Sequence, residues 1–385
     1  MPDVIVIGGG IIGATTAWQL AERGAEVLLL ERGHLASGAT RRSQGLLLEP
    51  EVDPMQPLFA ESNRLYDHLA ERAGIDLALD REPIGTLFLA TSEAQLERLA
   101  ENVPAEGRLL DRDAVLEAEP GLAPTVSGGL LLPGGRRTDP AALTAAAAEM
   151  ARQAGAEIRC HVDVKRVSPG AAVTDGGYER AGTVVLAAGA WSRRLAHTAG
   201  HELLIRPVRG WLAVTAPVPP LLRHIVYEAG YALARGPQPG EPVLMSDLAD
   251  GDVAVFGTRS ATAMTAHQNA DGSIMVGATR APALREGDES AGALRDTAAR
   301  ACQLLPAMAS IEVETTWSGL RPFTPDELPY IGHLEEGLAV CAGHSSDGIL
   351  AGAGSGRLVA EMVLATEPFT DPAPFSPSRS HADGD

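Results

Sequence analysis

The sequence predicts an α/β protein of two units, one built on a parallel sheet with flanking helices and the other on a mainly antiparallel sheet. Three observations support this fold class. The 385 residues exceed the usual size of one domain. A strand–helix–strand pattern occupies residues 3–31, as in parallel sheets. Strand-like runs separated by Gly, Pro and Asp turns fill residues 208–279, as in antiparallel sheets.

The first strand–helix–strand unit is defined by three runs of residues. Residues 3–7 read DVIVI, a run typical of a strand that is buried on both faces. Helix-forming residues follow from Ile11 to Glu22, and Gly24 stands where a helix C-cap is expected. A second apolar strand is predicted over Val27–Leu30, and it ends at Glu31.

The turn between this strand and helix contains glycines in GxGxxG spacing. Gly8 allows a tight turn, Gly10 lets the backbone approach a pyrophosphate, and Gly13 lets the helix pack closely on the sheet. The positive helix N-terminus faces the phosphates, and Glu31 can accept hydrogen bonds from ribose hydroxyls. The pattern therefore predicts a Rossmann-type dinucleotide site, although by itself it leaves both FAD and NAD open.

The other elements follow from helical spacing, caps and apolar runs. Asp139-Pro140 provides an N-cap followed by proline at the first helical position. Helices are predicted over Gln56–Ala73, Ser92–Glu101, Asp111–Glu119, Pro140–Gln153, Gly287–Leu305 and Leu350–Leu364, and strands over Glu157–Val167, Thr183–Ala188 and Leu338–Ala342. Residues 369–385 are rich in Pro, Ser and Asp, which predicts a disordered tail.

Composition and charge exclude several classes of protein. Hydrophobic residues make up 45% of the chain, which is typical of a globular protein and excludes wholesale disorder. A net charge of −19 disfavours nucleic acid or an anionic membrane as partner. No apolar run reaches the roughly 18 residues that span a bilayer. Cys160, Cys302 and Cys341 are too scattered for a disulfide framework or a metal cluster, so we expect no metal and a cytoplasmic location.

A small polar loop follows Glu31. Ser37–Thr40 and Ser43–Gly45 suit backbone and hydroxyl contacts with a second phosphate and the edge of a flavin ring. Arg41 and Arg42 either add positive charge at this position or are solvated. These residues favour a flavin dinucleotide.

Several motifs in order carry a family resemblance that covers nearly the whole chain. They are VIVIGGGIIG with Glu31, SGAT at Ser37–Thr40, VVLAAGAWS at Val184–Ser192, GLRPFTPDELPYIG at Gly319–Gly332 and AGHSSDGIL at Ala342–Leu350. With these motifs the sequence resembles the D-amino-acid oxidase-like family of FAD-dependent oxidoreductases, in particular its glycine oxidase and sarcosine oxidase branch. The resemblance implies a discontinuous FAD-binding domain of residues 1–82, 138–208 and 318–368 and a substrate-binding domain of residues 83–137 and 209–317.

The resemblance also implies which residues contact FAD. They are Gly8, Gly10, Ile12, Gly13, Glu31, Arg32, Ser37, Gly38, Thr40, Arg42, Ser43, Gln44, Gly45, Val164, Gly189, Trp191, Gly319, Arg321, Gly343, Ser345, Ser346, Asp347, Gly348 and Ile349. Trp191 serves either the cofactor or core packing. Gly319 stands where sarcosine oxidases carry the cysteine that tethers the flavin, so we expect FAD to be bound non-covalently.

Three residues are the catalytic candidates that the resemblance implies. Arg321 stands where the family places the arginine that binds the substrate carboxylate, because a guanidinium matches two oxygens. Arg280 stands where glycine oxidases carry an apolar residue, while Ser346 replaces a second arginine and Thr265 lies near a tyrosine position. We therefore expect Arg280 to meet a carboxylate of the protein or of the substrate. His344 is expected to shape the site rather than to transfer a proton.

The implied reaction is oxidation of the carbon–nitrogen bond of a glycine-like or N-substituted amino acid. The imine formed would hydrolyse to an oxo acid such as glyoxylate and an amine, with O2 reduced to H2O2. One alternative is the FAD subunit of an amino-acid, opine or hydroxyproline dehydrogenase that uses another electron acceptor. A flavin-binding protein without turnover is a third hypothesis. The sequence leaves open whether the protein forms a homo-oligomer.

Overall fold

The structure of the protein is a computed structural model that describes residues 1–48, 53–101, 103–230, 243–245, 253–255, 261–282 and 291–379. The chain divides into two compact units. The first comprises Met1–Leu79, Arg137–Pro207 and Leu320–Asp385, and the second comprises Asp80–Arg136 and Val208–Gly319. Each unit has its own large sheet, one parallel and one antiparallel in character, which confirms the predicted fold class.

The helices are α1 (Ile11–Glu22), α2 (Gln56–Arg72), α3 (Glu93–Ala100), α4 (Arg112–Ala118), α5 (Pro140–Gln153), α6 (Ser192–His197), α7 (Ala291–Leu304) and α8 (Gly352–Val363). Short 3₁₀ helices lie at Thr40–Arg42, Gly189–Trp191, Pro306–Ser310 and Ala373–Phe375. Within the described part of the chain, none of the helices combines the length and apolar character needed to cross a membrane.

The strands are β1 (Val4–Ile7), β2 (Val27–Glu31), β3 (Leu46–Leu47), β4 (Thr86–Ala90), β5 (Arg108–Asp111), β6 (Gly128–Leu132), β7 (Arg136–Arg137), β8 (Glu157–Cys160), β9 (Val164–Ser168), β10 (Ala171–Thr174), β11 (Gly177–Arg180), β12 (Thr183–Leu186), β13 (Arg206–Thr215), β14 (Ile225–Glu228), β15 (Val243–Met245), β16 (Val253–Val255), β17 (Ala261–Gln268), β18 (Ile274–Pro282), β19 (Val313–Phe323), β20 (Tyr330–Glu335) and β21 (Leu338–Ala342).

The first unit is built on a six-stranded sheet in the order β20-β21-β12-β1-β2-β8. Strand β1 pairs in parallel with both β2 and β12, and all four of its residues are buried. This confirms the prediction from its β-branched run. Helix α1 packs against α5 and α8, and Thr15 of α1 donates a hydrogen bond from its hydroxyl to the Gly352 carbonyl at 3.0 Å. Small residues such as Ala146 and Ala147 let these helices approach closely.

The predicted N-cap of α5 is confirmed. The Asp139 carboxylate accepts hydrogen bonds from the backbone N–H groups of Ala141 and Ala142 at 2.8 and 3.3 Å, which fixes the start of α5. Ser92 and Asp111 cap α3 and α4 in the same way. These ends follow from short-range sequence, because a cap contacts backbone only two or three residues away.

The second unit is built on an eight-stranded sheet in the order β19-β13-β18-β17-β14-β4-β6-β5. The pairs β13–β18, β17–β18, β14–β17, β4–β6 and β5–β6 are antiparallel, and β14–β4 is parallel. Helix α7 covers part of this sheet. It begins at Ala291, and the first residues of the predicted helix, 287–290, lie outside the described residues.

The prediction of a disordered tail is wrong for residues 369–379. The Phe375 side chain is buried with 1% exposure. The Arg379 guanidinium donates to Asp326 from Nε at 2.7 Å and from Nη2 at 3.0 Å, and its Cζ lies 4.1 Å from the ring centroid of Tyr330. Composition averages over a segment, whereas one aromatic and one arginine are enough to anchor it. Residues 380–385 lie outside the described residues.

Candidate functional site

The glycine turn between β1 and α1 shows a different reason for each glycine. Gly8 has φ of +113°, and a Cβ there would lie 2.5 Å from the carbonyl oxygen of Ala187. A Cβ on Gly13 would lie 1.8 Å from the Gly8 carbonyl oxygen. Gly10 has φ of −77°, and of the described atoms a Cβ there would meet just Thr40 Oγ1, at 3.1 Å. Protein packing therefore requires Gly8 and Gly13, whereas Gly10 leaves space for a ligand to approach the backbone.

Glu31 lies at the end of β2, and its side chain is buried. One carboxylate oxygen, Oε2, accepts from the Gly9 N–H at 2.6 Å, and Oε1 accepts from the Gly33 N–H at 2.7 Å. These bonds tie the end of β2 to the glycine turn. Each carboxylate oxygen has about two acceptor sites, so one on each oxygen remains for a ribose hydroxyl.

The start of α1 has the properties of an anion site. Gly10 is its N-cap residue, and among the described residues neither a capping side chain nor a first-turn acidic residue is present. The Ile11 N–H donates to Thr40 Oγ1 at 3.1 Å. The remaining N–H groups of a first helical turn have no partner within the helix, and the helix dipole favours negative charge there. The open Gly10 backbone, the helix start and Glu31 together fit a dinucleotide.

The polar loop after Glu31 is held by its own hydrogen bonds. Ser43 Oγ donates to the Thr40 carbonyl at 2.8 Å, and Arg42 Nη1 donates to the Ser37 carbonyl at 3.0 Å. Gly45 has φ of +69°, and a Cβ there would lie 2.0 Å from a backbone carbonyl oxygen. Thr40, Arg42 and Ser43 therefore fix the loop that joins β2 to β3, whatever they contact in a ligand.

Arg32 and Trp191 form a cation–π contact beside the glycine turn. The Arg32 Cζ atom lies 3.8 Å from the centroid of the Trp191 ring. Arg32 follows β2, and Trp191 lies in the 3₁₀ helix after β12, so the pair joins the ends of the two strands that flank β1. Trp191 is partly exposed, which excludes a role in core packing alone. Val164, the predicted adenine contact, is buried at the start of β9.

A tight turn at residues 343–349 follows β21. Gly343 has φ of +86° and Ser345 has φ of +49°. The Ser345 N–H donates to the Pro322 carbonyl at 2.9 Å, and the Asp347 N–H donates to the His344 carbonyl at 2.8 Å. Helix α8 begins after this turn, at Gly352, which is slightly later than the predicted start. The turn is therefore fixed by backbone hydrogen bonds before the helix begins.

Two buried polar atoms of this turn, His344 Nε2 and Ser346 Oγ, have no hydrogen-bond partner among the described residues. Burial lowers the pKa of His344 to about 3, so the imidazole is neutral at neutral pH and is a weak proton acceptor. A buried polar atom without a partner is unfavourable unless a ligand or water supplies one. The turn therefore fits a polar ligand at the position where the resemblance implies the flavin ring.

Arg321 lies on β19, half-buried, and belongs to the first unit. The bond from Ser345 to the carbonyl of the next residue, Pro322, brings the Arg321 backbone to the 343–349 turn. Gly319 is the last residue of the second unit. Arg321 and His344 are thus on adjacent segments of one unit. The spacing of the motifs along the sequence could not establish this.

Arg280 lies in the second unit, on β18, with 5% of its surface exposed. Thr265 is fully buried on β17, opposite Gly277 in the antiparallel pair β17–β18. Its other neighbour across the sheet is Tyr227 of β14. The predicted contact between Arg280 and a carboxylate stays a prediction.

One residue that supports the site was not singled out from the sequence. This residue is Thr324. Its backbone N–H donates to Ser345 Oγ at 3.3 Å, and its hydroxyl donates to the Leu328 carbonyl at 2.8 Å. The first bond holds the 343–349 turn against the segment after Arg321, and the second closes the loop of residues 324–328. The sequence feature that could have identified Thr324 is its place within the GLRPFTPDELPYIG motif.

Comparison with known protein families now decides the class of this site. The family described as FAD dependent oxidoreductase matches residues 3–362. The chain belongs to this family. Its cofactor is therefore FAD and its enzyme class is oxidoreductase, which confirms the resemblance drawn from the motifs. The individual contacts predicted for FAD and substrate stay predictions.

Glycine oxidases are among the relatives to which this chain is similar. Glycine oxidase of Geobacillus kaustophilus (strain HTA426) is 33% identical, with 98% of this chain and 97% of that protein covered. Glycine oxidase of Pseudomonas putida is 28% identical, with 97% of this chain and 98% of that protein covered. The crystal structure of the Geobacillus kaustophilus enzyme has a TM-score of 0.83 at 32% identity, covering 99% of both chains.

Proposed function

We propose that this protein oxidises the carbon–nitrogen bond of a glycine-like or N-substituted amino acid. The product imine is hydrolysed by water to an oxo acid such as glyoxylate and an amine, and O2 is reduced to H2O2. One observation carries the proposal. Arg321 directly precedes the residue whose carbonyl binds the 343–349 turn, in a chain of the FAD dependent oxidoreductase family that is 33% identical to a glycine oxidase.

The first unit would hold the cofactor. Gly10 and the start of α1 suit the pyrophosphate, Glu31 suits a ribose, and the Arg32–Trp191 pair lies beside them. The 343–349 turn offers buried polar atoms that suit the flavin ring. When bound, FAD would supply the acceptor for the hydride, which carries both electrons of the oxidation away from the substrate carbon.

The protein's own residues bind and orient the substrate. The Arg321 guanidinium would hold the substrate carboxylate through two parallel hydrogen bonds, which fixes the direction of the neighbouring C–H bond. We assign His344 to shaping the turn, because its depressed pKa makes it a poor base at neutral pH. Arg280 would select substrates that carry a second acidic group.

Purified protein and a panel of substrates test the activity. Glycine, sarcosine, bulkier N-alkylglycines, proline and D-amino acids are incubated with the FAD-loaded protein, and peroxide release and anaerobic flavin bleaching are measured. We expect both signals with at least one glycine-like substrate. Bleaching without peroxide would instead support the dehydrogenase alternative. Absence of bleaching with every substrate would contradict the proposal.

Variants test whether Arg321 binds the substrate carboxylate. Arg321→Met should lower kcat/KM by about tenfold to a thousandfold, because a charge-assisted bidentate contact is lost. The same change at the exposed Arg72 on α2 is the matched control and should leave kcat/KM unchanged. Equal kinetics for wild type and Arg321→Met would remove Arg321 from the site. Arg280→Ala should change the ratio of kcat/KM between diacid and monoacid substrates.

Non-covalent FAD and a cytoplasmic location complete the proposal. Gly319 offers no thiol, and burial raises the pKa of the Cys341 thiol, which disfavours its reaction with a flavin. Acid precipitation should release yellow cofactor into the supernatant, and colour retained in the pellet would show a covalent link. The three cysteines are free thiols, which suits a reducing compartment.

A further inference from the structure

A tyrosine of helix α2 holds the end of the 343–349 turn. Tyr66 is fully buried, and its hydroxyl donates a hydrogen bond to the Ile349 carbonyl at 2.5 Å, although the two residues are 283 positions apart in the chain. The Gly352 N–H also approaches this carbonyl, at 3.5 Å, so the tyrosine makes the shorter of the two bonds. A buried carbonyl needs a donor, and at the end of this turn Tyr66 supplies it.

The same tyrosine lies at the start of helix α8. Ala351, the N-cap residue of α8, provides no side-chain hydrogen bond, so the first N–H groups of the helix need partners from elsewhere. Ser62 of α2 provides one, because its Oγ accepts from the Gly354 N–H at 2.8 Å. Burial raises the pKa of Tyr66, and hydrogen bonds from the Ala353 backbone and the Ser62 side chain lower it by a smaller amount. The phenol therefore stays protonated and remains a donor to the turn.

Two glycines of α8 let α2 come close enough for this bond. A Cβ on Gly352 would lie 2.9 Å from Tyr66 Oη. A Cβ on Gly354 would lie 2.4 Å from the carbonyl oxygen of Leu58, which is also on α2. Such close packing leaves little room for the tyrosine to move. The position of the hydroxyl, and with it the position of the Ile349 carbonyl, is therefore set by the contact between the two helices.

Gly348 precedes the residue that Tyr66 holds, and it is accessible to a ligand. It is partly exposed, and an added Cβ there would make an ordinary contact with His344 Cβ at 3.6 Å. The backbone N–H groups of Gly348 and Ile349 have no hydrogen-bond partner within the part of the chain that the structure describes. Fixed N–H groups of this kind stabilise negative charge that develops beside them.

We propose that Tyr66 is a positioning residue for the cofactor, because its hydrogen bond to Ile349 fixes the turn whose free N–H groups face the flavin ring. This inference rests on the proposed location of the flavin at the 343–349 turn. Reduction adds negative charge to the ring, so a fixed turn binds reduced FAD more tightly relative to oxidised FAD. Tyr66 would thereby raise the reduction potential of the bound flavin without contacting it.

The reduction potential of FAD bound to Tyr66→Phe tests the proposal. The substitution removes the hydroxyl and keeps the ring. The midpoint potential is measured by dye-coupled reduction of the purified holoenzyme without any substrate. We expect the ratio of affinities for reduced and oxidised FAD to fall about threefold to tenfold, which lowers the two-electron midpoint potential by about 15 to 30 mV. FAD affinity of the apoprotein is measured in parallel by quenching of flavin fluorescence.

Two control variants separate positioning from a general loss of stability. Tyr178→Phe makes the same change on a tyrosine of β11 that is 66% exposed, and it should leave the potential and the thermal midpoint unchanged. Leu69→Ala creates a cavity on the buried face of α2, three residues after Tyr66. It should lower the thermal midpoint at least as much as Tyr66→Phe does, without moving the potential.

An unchanged potential in Tyr66→Phe, or an equal shift in Leu69→Ala, would overturn the proposal. If Tyr66→Phe fails to retain FAD, Ser62→Ala decides the question, because it removes a hydrogen bond to the Tyr66 oxygen and keeps the tyrosine. Its potential should fall by a smaller amount, and no fall would overturn the proposal. A lowered potential in Tyr66→Phe without turnover of any substrate by the wild type would support the role of Tyr66 and contradict the proposed reaction.

Discussion

Gly10→Ala should weaken FAD binding while leaving the protein folded, because Gly10 is the glycine of the turn whose Cβ space is open. An added Cβ lies 3.1 Å from Thr40 Oγ1, so the threonine must shift by a few tenths of an ångström. At worst this weakens its hydrogen bond from the Ile11 N–H, which contributes about 1 kcal/mol. The backbone at φ −77° and ψ −178° is allowed for alanine, and the reduced entropy of the unfolded chain offsets about 0.4–1 kcal/mol.

The effect on FAD is larger than the effect on folding. A methyl group on Gly10 would stand where the pyrophosphate is expected to approach, and loss of one hydrogen bond to a charged group costs about 1.5–3 kcal/mol. FAD affinity should therefore fall about 10- to 150-fold. Gly13→Ala is the opposite case, because its Cβ would lie 1.8 Å from a backbone oxygen, so we expect a loss of about 3 kcal/mol or more in unfolding free energy.

Two measurements on apoprotein separate these effects. Quenching of flavin fluorescence during titration gives FAD affinity, and urea denaturation gives the free energy of unfolding. Gly176→Ala is the matched control, since Gly176 is exposed and an added Cβ there makes an ordinary contact at 3.5 Å. Wild-type FAD affinity in Gly10→Ala would refute the assignment of Gly10 to the pyrophosphate. A loss of stability in Gly10→Ala equal to that in Gly13→Ala would show that the turn has no room for a Cβ at position 10.

Three further predictions concern buried groups of the first unit. Phe375→Ala should lower the free energy of unfolding by about 3–5 kcal/mol in urea, and a change below about 1 kcal/mol would mean that the C-terminal segment does not dock. Because the folded-state pKa of His344, about 3, lies below its ordinary value of 6.5, the stability it contributes is complete above about pH 6.5 and is lost as the pH falls towards 3. Between about pH 7 and pH 5 the wild type should therefore lose more stability than His344→Asn, and parallel pH profiles would contradict this. Cys341 is fully buried and its thiol pKa is raised, so a thiol reagent should modify it only after the protein unfolds. Modification in the native protein as fast as that of the half-buried Cys160 would argue against this burial.

The local sequence determined those features that depend on neighbouring residues. The β-branched run at residues 4–7, the glycine turn and helix α1 follow one another as predicted, because strand burial, tight turns and helix formation are encoded within about ten residues. The Asp139 cap is a similar case. The motifs from Gly8 to Leu350 also determined the family, since their order along the chain is itself specific.

Tertiary structure alone decided what distant segments do to one another. The three glycines read alike in sequence, yet the carbonyl of Ala187, far along the chain, is one of the atoms that make Gly8 indispensable, while Gly10 remains open. The Arg32–Trp191 contact and the anchoring of Phe375 likewise arise where separate segments pack. Composition and short-range patterns carry no information on such contacts, because burial and hydrogen-bond partners are set by which surfaces meet when the chain folds.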